Sequence, residues 1–483
     1  MPTPLLTSAY NPTTFRQTAH RVVDQLADFL ERSATADANP HAEADTSLAE
    51  WRTFAAERPA PEAVFDRFLQ QSVRIHSPNY AGHQNTPPAP VAALADLVAG
   101  MLNGSSAIYE MGRSGAVMER IVIDTFAGLL ELDDTTGGFL TSGGTLANLT
   151  ALLAARAAHW PAGDPWREGQ GNVRPCVLVN EQAHYCIDRA VRIMGWGEAG
   201  VVKLPSDENF RARTDGIDEA IATAKARGLT PLAIVGSACT TATGSFDDLT
   251  AMADAAERHR LWFHVDGAHG APVRLDPDRR HLLAGLERAD SLIMDFHKML
   301  MCPSLATAVF FRRGTDAYRT FHQEADYLLS FDTGTDDWSN VGRRTFECTK
   351  NMMSLRPFVL LTTYGPEVFR DYVVRVNAIG SLMADLVNGR PDFELALPPD
   401  CNIVCFRYRP TLPVHTAEQL DHLNAMIRAQ VVRETGFYLV QTKLRGRTWL
   451  RCTFTNPFTD GEVLAGLLGA LAEAGRGVTG MIG

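Results

Sequence analysis

The sequence predicts an α/β protein built on a mainly parallel sheet, and three observations carry that expectation. From about Pro90 to Tyr364, short β-prone runs alternate with helical patterns, the order expected of a sheet with helices on both faces. The chain has 483 residues, 45% of them hydrophobic, enough for one large domain with its own core plus smaller ones. Two chemically suggestive side chains, Asp266 and Lys298, fall near the ends of β-prone runs, where sheets of this class bind their ligands.

Residues 13 to 33 place Phe15, Ala19, Val22, Val23, Leu26, Phe29 and Leu30 at helical spacing, which gives one apolar face in need of a cover. Ser33 to Ser47 is polar and alanine-rich and reads as a loop, and Pro59-Ala60-Pro61 and Pro87-Pro88-Ala89-Pro90 punctuate the chain beyond it. Residues 1–89 therefore read as an N-terminal arm. Within the large domain, 90–364, the β-prone runs are Val177 to Val179, Val201 to Leu204, Leu232 to Val235, Leu261 to Val265, Ser291 to Met294 and Ala308 to Phe311. Residues 365–483 set helical stretches around Asn402 to Phe406 and Trp449 to Phe454, a smaller C-terminal α/β domain. No repeat or low-complexity segment interrupts this order.

A formal charge of −11 and a pI near 5.7 argue against a general binder of nucleic acid or anionic membranes, since a polyanion is repelled on average. The eight cysteines form no CxxC pair and read as thiols of a reducing compartment. Cys401 and Cys405 belong to an apolar strand rather than a metal half-site, because no second ligand pair follows at zinc spacing. Met1 to Thr7 lacks the basic region and apolar run of a secretory signal, and no stretch approaches the roughly 18 apolar residues of a membrane span. The expectation is a cytoplasmic protein without a metal.

The chemistry is concentrated at two strand ends. Leu261-Trp262-Phe263-His264-Val265-Asp266 delivers a carboxylate, and Ser291-Leu292-Ile293-Met294-Asp295-Phe296-His297-Lys298 delivers a lysine beside a histidine. That pairing suggests pyridoxal 5′-phosphate, which needs an amine to hold its aldehyde as a Schiff base and a carboxylate to keep its pyridine nitrogen protonated. Gly137 to Asn148 is a glycine-rich loop leading into a helix, which reads either as ordinary capping or as a phosphate site. His184, in Ala183-His184-Tyr185, is either a satisfied structural histidine or a residue stacked on the pyridine ring. Thr240-Thr241 follows an apolar strand, so its hydroxyls belong at the same rim.

Taken in order, glycine loop, Ala-His-Tyr, Thr-Thr, His-Val-Asp and His-Lys resemble the group II pyridoxal-phosphate decarboxylases, which act on aromatic amino acids, glutamate, diaminobutyrate or cysteine sulfinate. The resemblance runs from about His76 to Phe454. It implies an aspartate-aminotransferase-like fold (fold type I) with a mainly parallel seven-stranded sheet, a homodimer whose arm wraps the partner, and a shared active site for a small-molecule amino acid substrate. By the same resemblance Lys298 holds the cofactor, Asp266 meets the pyridine nitrogen and His184 stacks on the ring. Gly144 and Thr145 match the phosphate loop, His297 reaches the phosphate, and Thr241 lies near the ring and its 3′-oxygen. His83, in His76 to Gln84, matches the segment lining the substrate pocket, and Arg451 matches an arginine that binds the side-chain carboxylate in glutamate decarboxylases. Because arginine recurs there in relatives with other substrates, Arg451 reads equally as a buried ion pair.

Two positions depart from the pattern. Glutamate decarboxylases carry serine-tyrosine-aspartate-threonine-glycine on a mobile loop whose tyrosine delivers a proton, whereas this chain has Ser330-Phe331-Asp332-Thr333-Gly334. Phe331 has no proton to donate. The carbanionic state left once CO₂ departs would then live longer and react with oxygen, giving a carbonyl compound, ammonia and peroxide, unless Tyr327 or His83 supplies the proton. Asp295 stands where several relatives have asparagine-proline before His-Lys, near the phosphate, with no effect assigned. The expected activity is decarboxylation of an L-amino acid to amine and CO₂. Oxidative deamination is the rival, transamination a weaker third, and a pseudoenzyme is disfavoured because Lys298 and Asp266 are both retained.

Overall fold

A computed structural model of the chain describes residues 2–40, 42–161, 163–321, 338–411 and 416–482. It contains two compact units, one of Gln84–Ala384 with Leu397–Cys405, the other of Met1–His83, Asp385–Ala396 and Phe406–Gly483. Among the described residues no helix is long and apolar enough to cross a membrane.

Twelve strands are described. In chain order the first two are β1 (Tyr80–Ala81) and β2 (Gly137–Thr141), followed by β3 (Pro175–Asn180), β4 (Val201–Leu204) and β5 (Thr230–Ser237). Next come β6 (Trp262–Asp266), β7 (Ser291–Asp295) and β8 (Thr307–Phe311). The last four are β9 (Phe393–Leu395), β10 (Ile403–Tyr408), β11 (Tyr438–Leu444) and β12 (Arg447–Thr453).

In the first unit β2 to β8 form a seven-stranded sheet in the order β2-β8-β7-β6-β5-β3-β4. The neighbours from β7 through β6, β5 and β3 to β4 are parallel, and β8 runs antiparallel to both β7 and β2. The mainly parallel α/β reading is therefore correct. Parallel strands need crossovers long enough for a helix, and helices such as Cys186–Ile193, Ile217–Ala226 and Leu249–His259 fill them. Successive side chains on a strand point to opposite faces, so both faces here must be apolar. Leu178 and Ile234 enter one core while Val177, Val179, Ala233 and Val235 enter the other. The second core is roofed by the helix Gly144–His159 through Ala147, Ala151 and Leu152.

All six β-prone runs became strands, β3 to β8. Edge strand β2 was not foreseen, because glycines carry little β-propensity. Gly138 is there for space: a Cβ would lie 2.3 Å from the Val309 carbonyl oxygen.

The other unit is built on a five-stranded sheet in the order β1-β11-β12-β10-β9, where β10 belongs to this unit from Phe406 onward. Strands β11 and β12 form a tight hairpin whose two turn residues, Arg445 and Gly446, both have positive φ (49° and 77°). A turn of that hand matches strand twist, and arginine at its first position hides it from a reading that looks for Asn-Gly. Pro12 and Pro61 open helices at their first positions, where proline lacks only an N–H that would be unpaired anyway. The helix Ala44–Ala56 begins inside the expected loop, with Asp45 in its first turn favouring that end of the helix dipole. On the helix Pro12–Ser33, Phe15 and Leu26 are 48% and 46% exposed.

One buried ion pair pins β2. Glu119 on the helix Tyr109–Leu129 accepts from the Leu140 N–H at 3.0 Å and from the Lys350 ammonium, and both side chains are essentially without solvent contact. Removing either partner strands a buried charge, so Lys350→Ala should lower unfolding stability by about 3–5 kcal/mol. Denaturant titration followed by tryptophan fluorescence checks this, and Lys350→Ala paired with Glu119→Ala should recover part of the loss.

Candidate active site

The carboxyl edge of the parallel strands gathers a cluster of polar residues. Asp266 ends β6 and Asp295 ends β7, both on the face roofed by the helix Gly144–His159. Strand β8 runs the other way, so its first residue, Thr307, lies at this same edge as the register partner of Asp295. Immediately after β7 a single helical turn, Phe296–Met299, brings Lys298 back over the strand end. The Lys298 Nζ lies 2.8 Å from Asp295 Oδ2. The other oxygen, Asp295 Oδ1, accepts the Thr307 hydroxyl, and His297 Nε2 stands 3.6 Å from Oδ2. Burial alone would push the Lys298 amine down, but Asp295, with Asp266 behind it, outweighs burial and holds it above its ordinary value.

Asp266 is oriented by hydrogen bonds whose direction can be worked out. A carboxylate only accepts, so Asn148, 3.1 Å away, must turn its Nδ2 toward Asp266 and its Oδ1 toward His264. His264 Nε2, 2.7 Å from that oxygen, then carries the proton, and Nδ1 accepts from the Ser291 hydroxyl at 2.8 Å. Ser291 Oγ in turn accepts from Trp262 Nε1 at 2.8 Å. Burial pushes His264 down to about 4, which keeps its ring neutral as this assignment requires. The Ala268 N–H donates to the second Asp266 oxygen at 3.2 Å.

The helix Gly144–His159 meets the same edge with an open N-terminus. Its cap is Gly143, at φ 106°, and no side chain caps it, so its first N–H groups are left for a ligand. The His184 Nδ1 accepts the Cys186 N–H at 3.3 Å, and burial lowers the ring's proton affinity, so His184 presents a neutral imidazole.

These groups surround one cavity of about 300 Å³. Gly144, Thr145, His184, Thr241, Asp266, Asp295, His297 and Lys298 all line it. His83 and Arg451 belong to the other unit, where burial and the charges of Arg451 and Arg428 hold His83 below the ordinary imidazole value. Phe331, and with it Tyr327, lies outside the described residues. Sequence reasoning missed the roles of Asn148 and His264. The signals were there: Asn148 lies one helical turn after Gly144, and His264 two residues before Asp266 on the same strand face. Gln84, the last residue of the segment matched to a pocket lining, also lines the cavity, as do Cys186, Cys239 and His269, which were not anticipated.

A phosphorylated pyridine aldehyde requires an amine, a carboxylate and an anion site within one molecule's length. The cavity supplies all three in Lys298, Asp266 and the helix N-terminus, with a neutral imidazole beside them, and so the residues fit pyridoxal phosphate.

Comparison with known proteins agrees. Residues 65–409 match the pyridoxal-dependent decarboxylase conserved domain. An aspartate 1-decarboxylase of Aliivibrio fischeri is 30% identical, with 92% of this chain and 88% of that protein covered. An aromatic-L-amino-acid decarboxylase of Bacillus atrophaeus is 24% identical, with 95% of each covered. The crystal structure of Oryza sativa TDC with PLP and tryptamine shares the fold, with a TM-score of 0.89 at 22% identity over 99% of this chain and 100% of that one. A match running through most of the chain, joined to a cavity built for this cofactor, shows that the chain belongs to the pyridoxal-dependent decarboxylase family of PLP-dependent carboxy-lyases.

Proposed function

We infer that this enzyme removes the α-carboxylate of an L-amino acid with an acidic side chain, releasing an amine and CO₂. The observation that carries the reaction is the meeting of Lys298, Asp266 and the open helix N-terminus in one cavity. Pyridoxal phosphate, when bound, supplies a pyridinium ring into which the electrons of the breaking Cα–carboxylate bond drain. On this reading Lys298 holds the cofactor through its amine. Asp266 holds a proton at the pyridine nitrogen, aimed by Asn148 and His264. His184, which lines the cavity with a neutral ring, would pack against the cofactor. The N–H groups of Gly144 and Thr145 bind the phosphate, with His297 beside them, and Thr241 contributes a hydroxyl at the rim.

The acidic substrate rests on a separate cluster and on a relative named for aspartate. In the second unit, Arg451 is 6% exposed on β12 and acts with Arg428 on His83. Tyr80 and Tyr438 stack beside them, with ring centroids 5.4 Å apart. Such a concentration of positive charge among aromatic rings favours a carboxylate.

A second reading is supported by Phe331. With phenylalanine in place of a loop tyrosine, protonation at Cα competes with oxygen, and the net change becomes amino acid + O₂ + H₂O → aldehyde + CO₂ + NH₃ + H₂O₂. A panel of amino acids assayed in parallel for CO₂, amine, ammonia and peroxide decides between the two. Aspartate-like substrates should turn over before aromatic ones, and amine should equal CO₂. If peroxide appears instead, Phe331→Tyr should shift product toward amine by about a hundredfold, the help expected from one positioned donor.

Asp266→Asn should retain the cofactor yet slow CO₂ release by about a hundredfold or more, the scale seen when one group stabilising developing charge is lost. Cofactor content and single-turnover CO₂ release, measured on the same preparation, check both halves.

We also infer a homodimer. The helix Pro12–Ser33 carries Phe15, Val23, Leu26 and Leu30 on its surface, more apolar area than a free helix presents to water without reason. Sedimentation at assay concentration should give twice the 52.8 kDa chain mass, with activity falling on dilution to monomer.

A further inference from the structure

Asp295 is the one charged group of the cavity to which the reaction as derived gives no task. It is 1% exposed, yet both of its oxygens are engaged, Oδ2 with the Lys298 ammonium at 2.8 Å and Oδ1 with the Thr307 hydroxyl. Its own N–H donates to the Ala268 carbonyl at 3.0 Å. Two elements therefore fix the carboxylate, β8 through Thr307 and the turn Phe296–Met299 through Lys298. A carboxylate so placed is built to meet a cation.

The other groups that act on Lys298 do not replace it. Asp266 also acts on the amine as a charge, but it already accepts from Asn148 and Ala268, and burial pushes the Cys186 thiol well up, so that it stays neutral. His184 is held neutral, and the Cys239 thiol, raised by Cys401 and by burial, is neutral as well. His297 Nε2 stands 3.6 Å from Asp295 Oδ2, the same oxygen that meets Lys298, and as an imidazole it offers no negative charge to take the carboxylate's place. Burial works against a protonated nitrogen at this place, and Asp295 is the contact that opposes it.

The position of the pair adds a second reason. A Cβ on Gly144 would lie 3.4 Å from both Asp295 oxygens, so the carboxylate borders the helix N-terminus assigned to the phosphate. An uncompensated carboxylate there would repel that anion. Paired with a protonated Lys298, it is neutral as a unit.

We propose that Asp295 is a positioning residue that keeps the Lys298 nitrogen protonated, whether that nitrogen is joined to the cofactor or free. The proposal rests on the reading of Lys298 as the cofactor lysine. It gives the lysine a fixed place to return to as an ammonium, and it keeps the phosphate end of the cavity free of a bare negative charge.

The test is a pH titration of the bound cofactor's absorbance in the purified holoenzyme, whose long-wavelength band reports the proton on the Lys298 nitrogen. Removing an opposite charge makes the protonated form less favourable, so the midpoint in Asp295→Asn should fall by about one to three units. Asp295→Glu, which restores the charge, should titrate near the parent. If the asparagine variant fails to keep cofactor, Asp295→Ser carries the same expectation. A parent-like midpoint in either neutral variant overturns the proposal, because a residue that only shapes the cavity would leave the titration unmoved. Borohydride reduction of the parent followed by peptide mapping separates this from failure of the underlying reading. Cofactor trapped on Lys298 together with an unmoved midpoint sinks the proposal alone, whereas cofactor trapped on another lysine sinks both.

Discussion

The hydrogen bond from Asn148 to Asp266 is the contact on which the carboxyl edge of the large sheet depends. It ties the roofing helix to β6, and through His264 and Ser291 the tie extends to β7. The register pair His264↔Ser291 is what allows that extension. Once the helix is held there, its N-terminus is held too, and the end proposed to meet the phosphate and the Asp266 carboxylate become fixed to one another. A buried polar line of this kind succeeds only if every member is satisfied. Charging His264 would put a second proton on Nδ1, where Ser291 already donates, and the line would break at its centre.

Family likeness and local geometry answer different questions here. At 22% identity, the shared fold with the rice protein concerns the fold alone, since one fold hosts many chemistries. What narrows the chemistry is a domain match over residues 65–409 and a cavity whose donors fit one cofactor. The residues proposed to choose the substrate, His83 and Arg451, belong to the other unit, and neighbours with different names need not share a substrate.

Much of this was legible in the sequence for a simple reason: strands of a doubly covered sheet are runs of apolar residues, and a polar residue ending such a run stands out. Asp266 and Lys298 were visible that way. Strand β2 was not, because Gly137 and Gly138 serve close approach to β8 and Gly314 rather than propensity. Hairpin β11–β12 was hidden by an arginine in the turn, and β1, only two residues long, leaves no pattern to detect. Asn148 and His264 were quoted within motifs but given no task, since a hydrogen-bond line across a helix and two strands exists only after folding. The importance of Asp295 required a distance, which no one-dimensional pattern contains.

The sheet order also sets a schedule for synthesis. Strand β2 has one strand neighbour, β8, and Thr141 must find Thr307. At about 5–20 residues per second, the ribosome leaves that strand without its partner for on the order of ten seconds. Its Glu119 support is made before it, but Lys350, which neutralises Glu119, is made later still. An apolar, β-branched strand left open for that interval would invite pairing with another nascent chain. Two glycines at its head make β2 a poor template for that error, so the residues that made the strand hard to read also shelter it on the ribosome.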